Sequence, residues 1–327
     1  MAIVFVSDKR SRSSRVTRSF AKGFAVIAAG LATVATLTAC GSSKNDSGGL
    51  TVVASTNVWG DIAKTVAGPD VKVESLINDP AADPHSYEVT AVQGAQISDA
   101  DLIVYNGGGY DGFIDKAIAG KSKRTVNAVD IAGEGAHASE SATPAKEAAA
   151  HDHSGTNEHV FYDVHAAGHI AEHIATSLGD LDPAHKQDYT DRAAAFTAKL
   201  SGIEAITAEI AADHPGQPVV QTEPLAYYML LDAKADDRTP HAFQEAIEQG
   251  TDPSPTDVAA VRDMLSSKQV RALVYNIQTE DKTTEDMRAT AQKAGLPVVE
   301  VTETLPQGLD YIQWMTRNAQ SLATALA

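Results

Sequence analysis

The chain is poor in cysteine, in long apolar runs and, past its first forty positions, in basic residues. Each shortage excludes something. With one cysteine, Cys40, no internal disulfide can contribute to stability and a thiolate metal site is ruled out. Lysine and arginine number 26 against 43 acids in 327 residues, a formal charge of −17. Residues 1–39 hold six of the basic residues and one acid, so the remainder carries 20 basic against 42 acidic side chains, close to −22. Such a surface repels phosphate backbones, which excludes nucleic acid as a partner, and it concentrates cations near any acidic cleft. The apolar run Phe24–Ala39 covers 16 residues, short of the roughly 20 that a spanning helix needs. No HExxH order is present, so a zinc-protease site has no sequence support.

The N-terminus has the layout of an export signal. A basic stretch, KRSRSSRVTRSFAKG, precedes the short apolar run. The run closes on LTAC, Leu37 to Cys40, followed by Gly41, which resembles a bacterial lipobox. On that resemblance residues 1–39 are a lipoprotein signal peptide, Cys40 is the lipid anchor, and 40–49 is a flexible tether rich in glycine and serine.

The rest alternates. Apolar runs of β type (LTVVAST, VKVESLI, DLIVYNGG, RTVNAVD) are separated by stretches of helical spacing, which predicts a parallel sheet covered by helices. Gly133–His159 has few large apolar residues and is expected to be a mobile loop carrying His137, His151 and His153. A helix is expected over Asp163–Leu178. In Asp182–Gly216, apolar residues recur at Tyr189, Ala193, Phe196, Leu200, Ile203 and Ile206, with no strand signal. That is one helix of about 30 residues, about 45 Å long, more than one small domain uses. A second alternating series follows: QPVVQTE, PLAYYMLLDA, SPTDVAAVRDMLSSKQ, VRALVYNIQ, TTEDMRATAQKAG, LPVVEVTE and a closing helix. The predicted architecture is α/β: two lobes, each a mostly parallel sheet flanked by helices, joined by one long rigid helix. The boundaries are 50–181 for the N-terminal lobe, 182–213 for the linking helix and 214–327 for the C-terminal lobe.

Ligands in open α/β sheets bind beyond the carboxyl ends of the strands. The polar residues just past strands are His85, Glu223 and Glu303, and His159 closes the expected loop. Singly, each has a plain reading: a loop histidine, or an acid facing a helix N-terminus. Together, two imidazoles and two carboxylates make a divalent-metal set whose charge balances the ion. His165, His169 and His173 also fall on one helical face, where a solvated row is the commoner outcome.

Four segments resemble the metal-binding receptors of bacterial ABC importers for zinc and manganese. DPHSYE (Asp83–Glu88) looks like the first ligand motif and NEHVFYD (Asn157–Asp163) the second, with Phe161 where tryptophan is common. QTEPLAYY (Gln221–Tyr228) matches the third, where zinc receptors typically carry histidine and manganese receptors often glutamate. VTETLPQGLDYIQWM (Val301–Met315) matches the last, with Glu303 where aspartate is usual. The resemblance implies two lobes on a long helix and the ligands His85, His159, Glu223 and Glu303. It implies a monomeric receptor, not an enzyme, anchored by lipid to the outer face of the cytoplasmic membrane. Its transported ligand is Zn²⁺ or Mn²⁺ and its partner an ABC permease. Glu223 favours manganese; the affinity order and the histidine-bearing loop favour zinc, which is the expected cargo. The long helix is expected to keep lobe closure small. The alternatives are a metal-containing surface adhesin and a metallohydrolase.

Overall fold

The computed structural model describes residues 49–79, 82–139 and 157–327. The expected signal segment, Cys40, His151 and His153 lie outside the described residues, as does the side chain of His137.

The first sheet holds β1 (Thr51–Thr56), β2 (Lys72–Ile77), β3 (Leu102–Tyr105) and β4 (Thr125–Asn127), all parallel, in the order β2-β1-β3-β4. The second holds β5 (Pro218–Gln221), β6 (Asp236–Asp237), β7 (Ala272–Asn276) and β8 (Val298–Val301), also parallel, in the matching order β6-β5-β7-β8. The central strands β1, β3, β5 and β7 read as near-continuous apolar runs because both their faces are covered. Val52 and Ala54 point into one apolar cluster and Val53 into another, the period of two that a pleated strand imposes.

Helices α1 (Asn57–Ala67), α2 (Ala91–Asp99), α3 (Gly112–Ile118), α4 (Ala128–Ser139) and α5 (Val164–Leu181) belong to the first series. Helices α7 (Tyr227–Asp232), α8 (His241–Glu248), α9 (Pro255–Ser266), α10 (Lys282–Ala294) and α11 (Tyr311–Leu326) belong to the second. Between them runs α6 (Lys186–Asp213), 28 residues long, about 42 Å at 1.5 Å per residue. Its buried residues Tyr189, Ala193, Phe196, Leu200, Ile203, Thr207 and Ile210 step by four and three, a single stripe. Ile206 of the expected series is only partly buried; the stripe passes to Thr207 instead. The stripe packs into a core that is continuous from Val52 in the first sheet to Val219 in the second and Met315 in α11. A long helix sharing one core with both sheets resists bending.

Arg192 ties this helix to the first lobe. Helix α1 ends at Gly68, whose φ of 77° is left-handed and suits glycine. The carbonyls of Val66 and Ala67 there accept from Arg192 Nε at 2.7 Å and Nη2 at 2.8 Å. Arg192→Ala should lower unfolding stability by about 2–3 kcal/mol, since two charged bonds to partly buried carbonyls are lost. Urea denaturation checks this; an unchanged midpoint would mean water replaces the guanidinium at no cost.

Three features depart from the sequence expectation. Helix α4 continues to Ser139, so the first part of the expected loop is helical. Its alanines favour helix although they supply little apolar surface. The strand β6 and the helix α8 had no expected counterpart. No helix among the described residues is long and apolar enough to cross a membrane.

Candidate metal centre

The carboxyl ends of the two sheets face each other. Asn57, just past β1, donates Nδ2 to the Leu305 carbonyl and accepts from the Leu305 amide, both at 2.9 Å. In the same gap lies a cavity of about 770 Å³. Among the described residues its wall carries eight carboxylates and two imidazoles, and no lysine or arginine. His85, His159, Glu223 and Glu303 all line it.

His85 sits in the turn that follows β2. The Asp83 carboxylate accepts from the His85 amide at 2.9 Å and from the Ser86 hydroxyl at 2.8 Å, an acid folding its own turn. His159 precedes the short 3-10 turn Val160–Tyr162 that opens α5 and is 1% exposed. Glu223 lies two residues past β5 and Glu303 two past β8, and each is 3% exposed.

Polar side chains between the lobes set their orientation. Asn157 Nδ2 donates to the Pro224 carbonyl at 3.0 Å, which fixes its Oδ1 as the atom 3.1 Å from His159 Nδ1. Nδ1 therefore carries the proton, and Nε2 presents its lone pair to the cavity. Asn276, the last residue of β7, donates Nδ2 to Glu223 Oε2 at 2.5 Å and to Glu303 Oε1 at 2.8 Å. Gln278 Oε1 accepts from the Glu303 amide at 2.5 Å. Tyr110, fully buried, reaches from the β3–α3 loop to donate to Glu303 Oε2 at 3.3 Å. Its ring also meets His85 edge-on at 4.9 Å between centroids. Glu223 Oε1 is buried with no hydrogen-bond partner.

That loop depends on glycine. Gly107 has φ of 76°, and a Cβ there would come within 2.1 Å of the Asn127 side chain. Asp111 holds the turn by accepting from the amides of Asn106 and Gly107 at 2.7 and 2.8 Å.

Burial dominates the electrostatics of this wall. Burial, then repulsion from His85, pulls His159 down to about 3, and burial lowers His85 too, against Asp83. Both imidazoles are thus neutral at pH 7, with lone pairs available. Burial, then Glu223, pushes Glu303 up to about 8, and Glu223 is raised chiefly by burial. Glu158 is pushed up to about 7 by burial and Asp111, and Glu248 to about 8 by burial and neighbouring carboxylates.

The four expected residues share one cavity but do not converge on one point. His85 and His159 rings are 6.3 Å apart between centroids. Among the described residues, His85, Glu158, His159 and Glu248 can each offer an atom within 4.8 Å of the others, and so can Asp83, His85 and Glu303. Glu223 belongs to neither group and reaches Glu303 through Asn276. Asp83 and Glu158 lie inside the quoted motifs; Glu248 ends the unanticipated α8. His165 and His169 are 63% and 58% exposed beside Glu204 and Glu172, and the His165–His169–His173 row enters neither group.

Comparison with known proteins bears on this arrangement. The family model described as zinc-uptake complex component A, periplasmic (ZnuA), matches residues 52–325. The chain belongs to the ZnuA family. It is 26% identical over 305 residues to the zinc-binding lipoprotein AdcA of Streptococcus pneumoniae, a match covering 88% of this chain and 58% of that protein. The chain thus spans little more than half the length of AdcA. It is 26% identical over 306 residues to the metal ABC transporter substrate-binding lipoprotein SloC of Streptococcus mutans, covering 89% of this chain and 94% of that one. The fold of this ZnuA-family chain is shared with the periplasmic zinc-binding protein TroA of Treponema pallidum, with a TM-score of 0.69 at 20% identity, over 86% of this chain and all of that one.

Proposed function

We propose that this chain is the extracytoplasmic receptor of a divalent-metal ABC importer, held to the outer face of the membrane through Cys40 and acting as a monomer. It captures one Zn²⁺ or Mn²⁺ and presents it to a membrane permease. The observation that carries this reading is the wall of the cavity: two neutral imidazoles, that of His159 buried and that of His85 partly exposed, and two buried carboxylates, with no cationic side chain among the described lining residues. The assigned ligands are His85, His159, Glu223 and Glu303. The two carboxylates match the charge of the ion, so binding relieves the cost of burying them.

Zinc is the favoured cargo. A set of two nitrogens and two carboxylates suits a tetrahedral zinc ion, and the affinity order places zinc above manganese at most sites. The continuous core through α6 supports a clamp whose lobes move little. The relatives above are named as transport or binding lipoproteins, which supports a receptor over an enzyme.

Native mass spectrometry of protein purified without chelator tests the reading. One ion per chain is expected, zinc retained against excess manganese. Deleting the gene should reduce cellular metal uptake. Normal uptake with failed attachment would place the protein among adhesins instead.

A further inference from the structure

The cavity holds more ligand atoms than one tetrahedral ion can use, and they sort by depth. The Glu223 and Glu303 residues are 3% exposed, while the side chains of His85, Glu158 and Glu248 are 25%, 21% and 22% exposed. We propose that Glu158 and Glu248, with His85 and His159, form an outer landing position for the incoming divalent cation, which then moves inward by exchanging these carboxylates for Glu223 and Glu303 while the imidazoles stay bound. The proposal rests on the metal-receptor reading and adds a second position to it.

Three observations carry it. The first is geometry. His85 Nδ1 lies 3.6 Å from Glu158 Oε1, and His159 Nε2 lies 3.7 Å from Glu248 Oε1. Ligand atoms around a tetrahedral zinc ion are separated by about 3.4 Å, given bonds of about 2.1 Å. Both pairs therefore stand near the edge length of a coordination shell, too long for hydrogen bonds. All four ligand atoms fall within 4.8 Å of one another, which small side-chain rotations can close.

The second is the direction of His159. Asn157 occupies its Nδ1, so the atom facing Glu248 carries a lone pair. A carboxyl oxygen beside a lone pair is a gap that a proton or a cation can fill. A divalent ion there satisfies both acceptors at once.

The third is provenance. Glu158 lies just ahead of the 3-10 turn that opens α5, whereas Glu248 ends α8 beside the second sheet. The outer set therefore spans the cleft, as the inner set does. The two positions share both imidazoles, so the ion occupies one or the other, and the stoichiometry remains one per chain.

The test compares Zn²⁺ binding by the wild type, Glu158→Gln/Glu248→Gln, Glu223→Gln/Glu303→Gln and the variant with all four changes. Native mass spectrometry counts ions, competition with a chromophoric chelator gives affinity, and stopped-flow mixing gives the association rate. Glu223→Gln/Glu303→Gln should still hold one zinc, with affinity about a hundredfold above that of the fourfold variant. Glu158→Gln/Glu248→Gln should keep affinity within about tenfold of wild type and associate about tenfold more slowly. Asp252→Asn, which neutralises another acid of the same wall, should leave the rate near wild type and so separates landing from general attraction. Equal zinc binding by Glu223→Gln/Glu303→Gln and the fourfold variant would overturn the proposal. So would an Asp252→Asn rate as slow as that of Glu158→Gln/Glu248→Gln. A wild type that binds neither zinc nor manganese would instead remove the receptor reading itself.

Discussion

Glutamine in place of Glu223 should weaken zinc binding by about a hundredfold or more and leave the metal-free protein at least as stable as wild type. The magnitude follows from position. Residues that merely orient a metal ligand typically contribute ten- to a hundredfold in affinity, so Glu223, proposed as a direct ligand, is expected to contribute no less. The stability half of the expectation follows from electrostatics. Glu223 is 3% exposed, its Oε1 has no hydrogen-bond partner, and Glu303 sits on the other side of the Asn276 amide. Without a cation, two buried carboxylates repel, and burial penalises the charge on each. The neutral amide keeps the shape and can still accept from Asn276 through its oxygen. Loss of affinity therefore cannot be ascribed to a damaged fold, as it could for His159→Ala, which empties a site packed against Phe161 and Tyr110. Chelator competition and a thermal melt on the same metal-free sample check both halves. Wild-type affinity in the variant would strike Glu223 from the ligand set.

The lining of the cavity was legible where polar chemistry and strand ends coincide. The strands β1, β3, β5 and β7 announce themselves as apolar runs because helices cover both faces, and the edge strands β2 and β8 show mixed runs that still carry Val73, Leu76 and Ile77, and Val298, Val299 and Val301. Once those runs are placed, His85, Glu223 and Glu303 stand out as the polar residues beyond them. The four-and-three stepping from Tyr189 to Ile203 likewise reveals α6, since one helix face must stay buried along its length. The pieces that escaped have no such signature. Asp236 and Asp237 form a two-residue edge strand with both side chains exposed, and nothing apolar marks it. Helix α8 buries Phe243 and Ile247 but is eight residues long, too short to show a period. Its last residue, Glu248, was lost with it. Asn276 and Tyr110 orient the carboxylates, yet in a linear reading one closes an apolar strand and the other follows a glycine run. Their role appears only when the second lobe is placed against the first.

The stability of the metal-free protein should fall as pH rises from about 5 to about 8, and zinc should abolish the fall. The sign is set by Glu303. Its carboxyl is held at about 8 in the fold, against an ordinary value of 4.5, by burial first and Glu223 second. A group whose pKa is raised on folding favours the folded state fully below its unfolded value, and that contribution is lost as pH passes the folded value. At about 1.4 kcal/mol for each tenfold difference in proton affinity, the loss is on the order of 4 kcal/mol. That is a large share of the 5–15 kcal/mol typical of a folded domain. Metal reverses the balance, because the ion takes the place of the proton and stabilises the ionised pair. Binding should therefore release protons between pH 6 and 8, and the gain in melting temperature on adding zinc should be larger at pH 8 than at pH 5. Glu303→Gln has no charge to bury, so the metal-free variant should show a shallower pH slope over this window, with Glu158 and Glu248 supplying what remains, and melt higher than wild type at pH 8. Melting curves of both proteins at pH 5, 6.5 and 8, with chelator and with zinc, supply the comparison. A wild-type slope equal to that of Glu303→Gln would show that the buried carboxyl ionises freely, and the cavity would lose the electrostatic reason for wanting a cation.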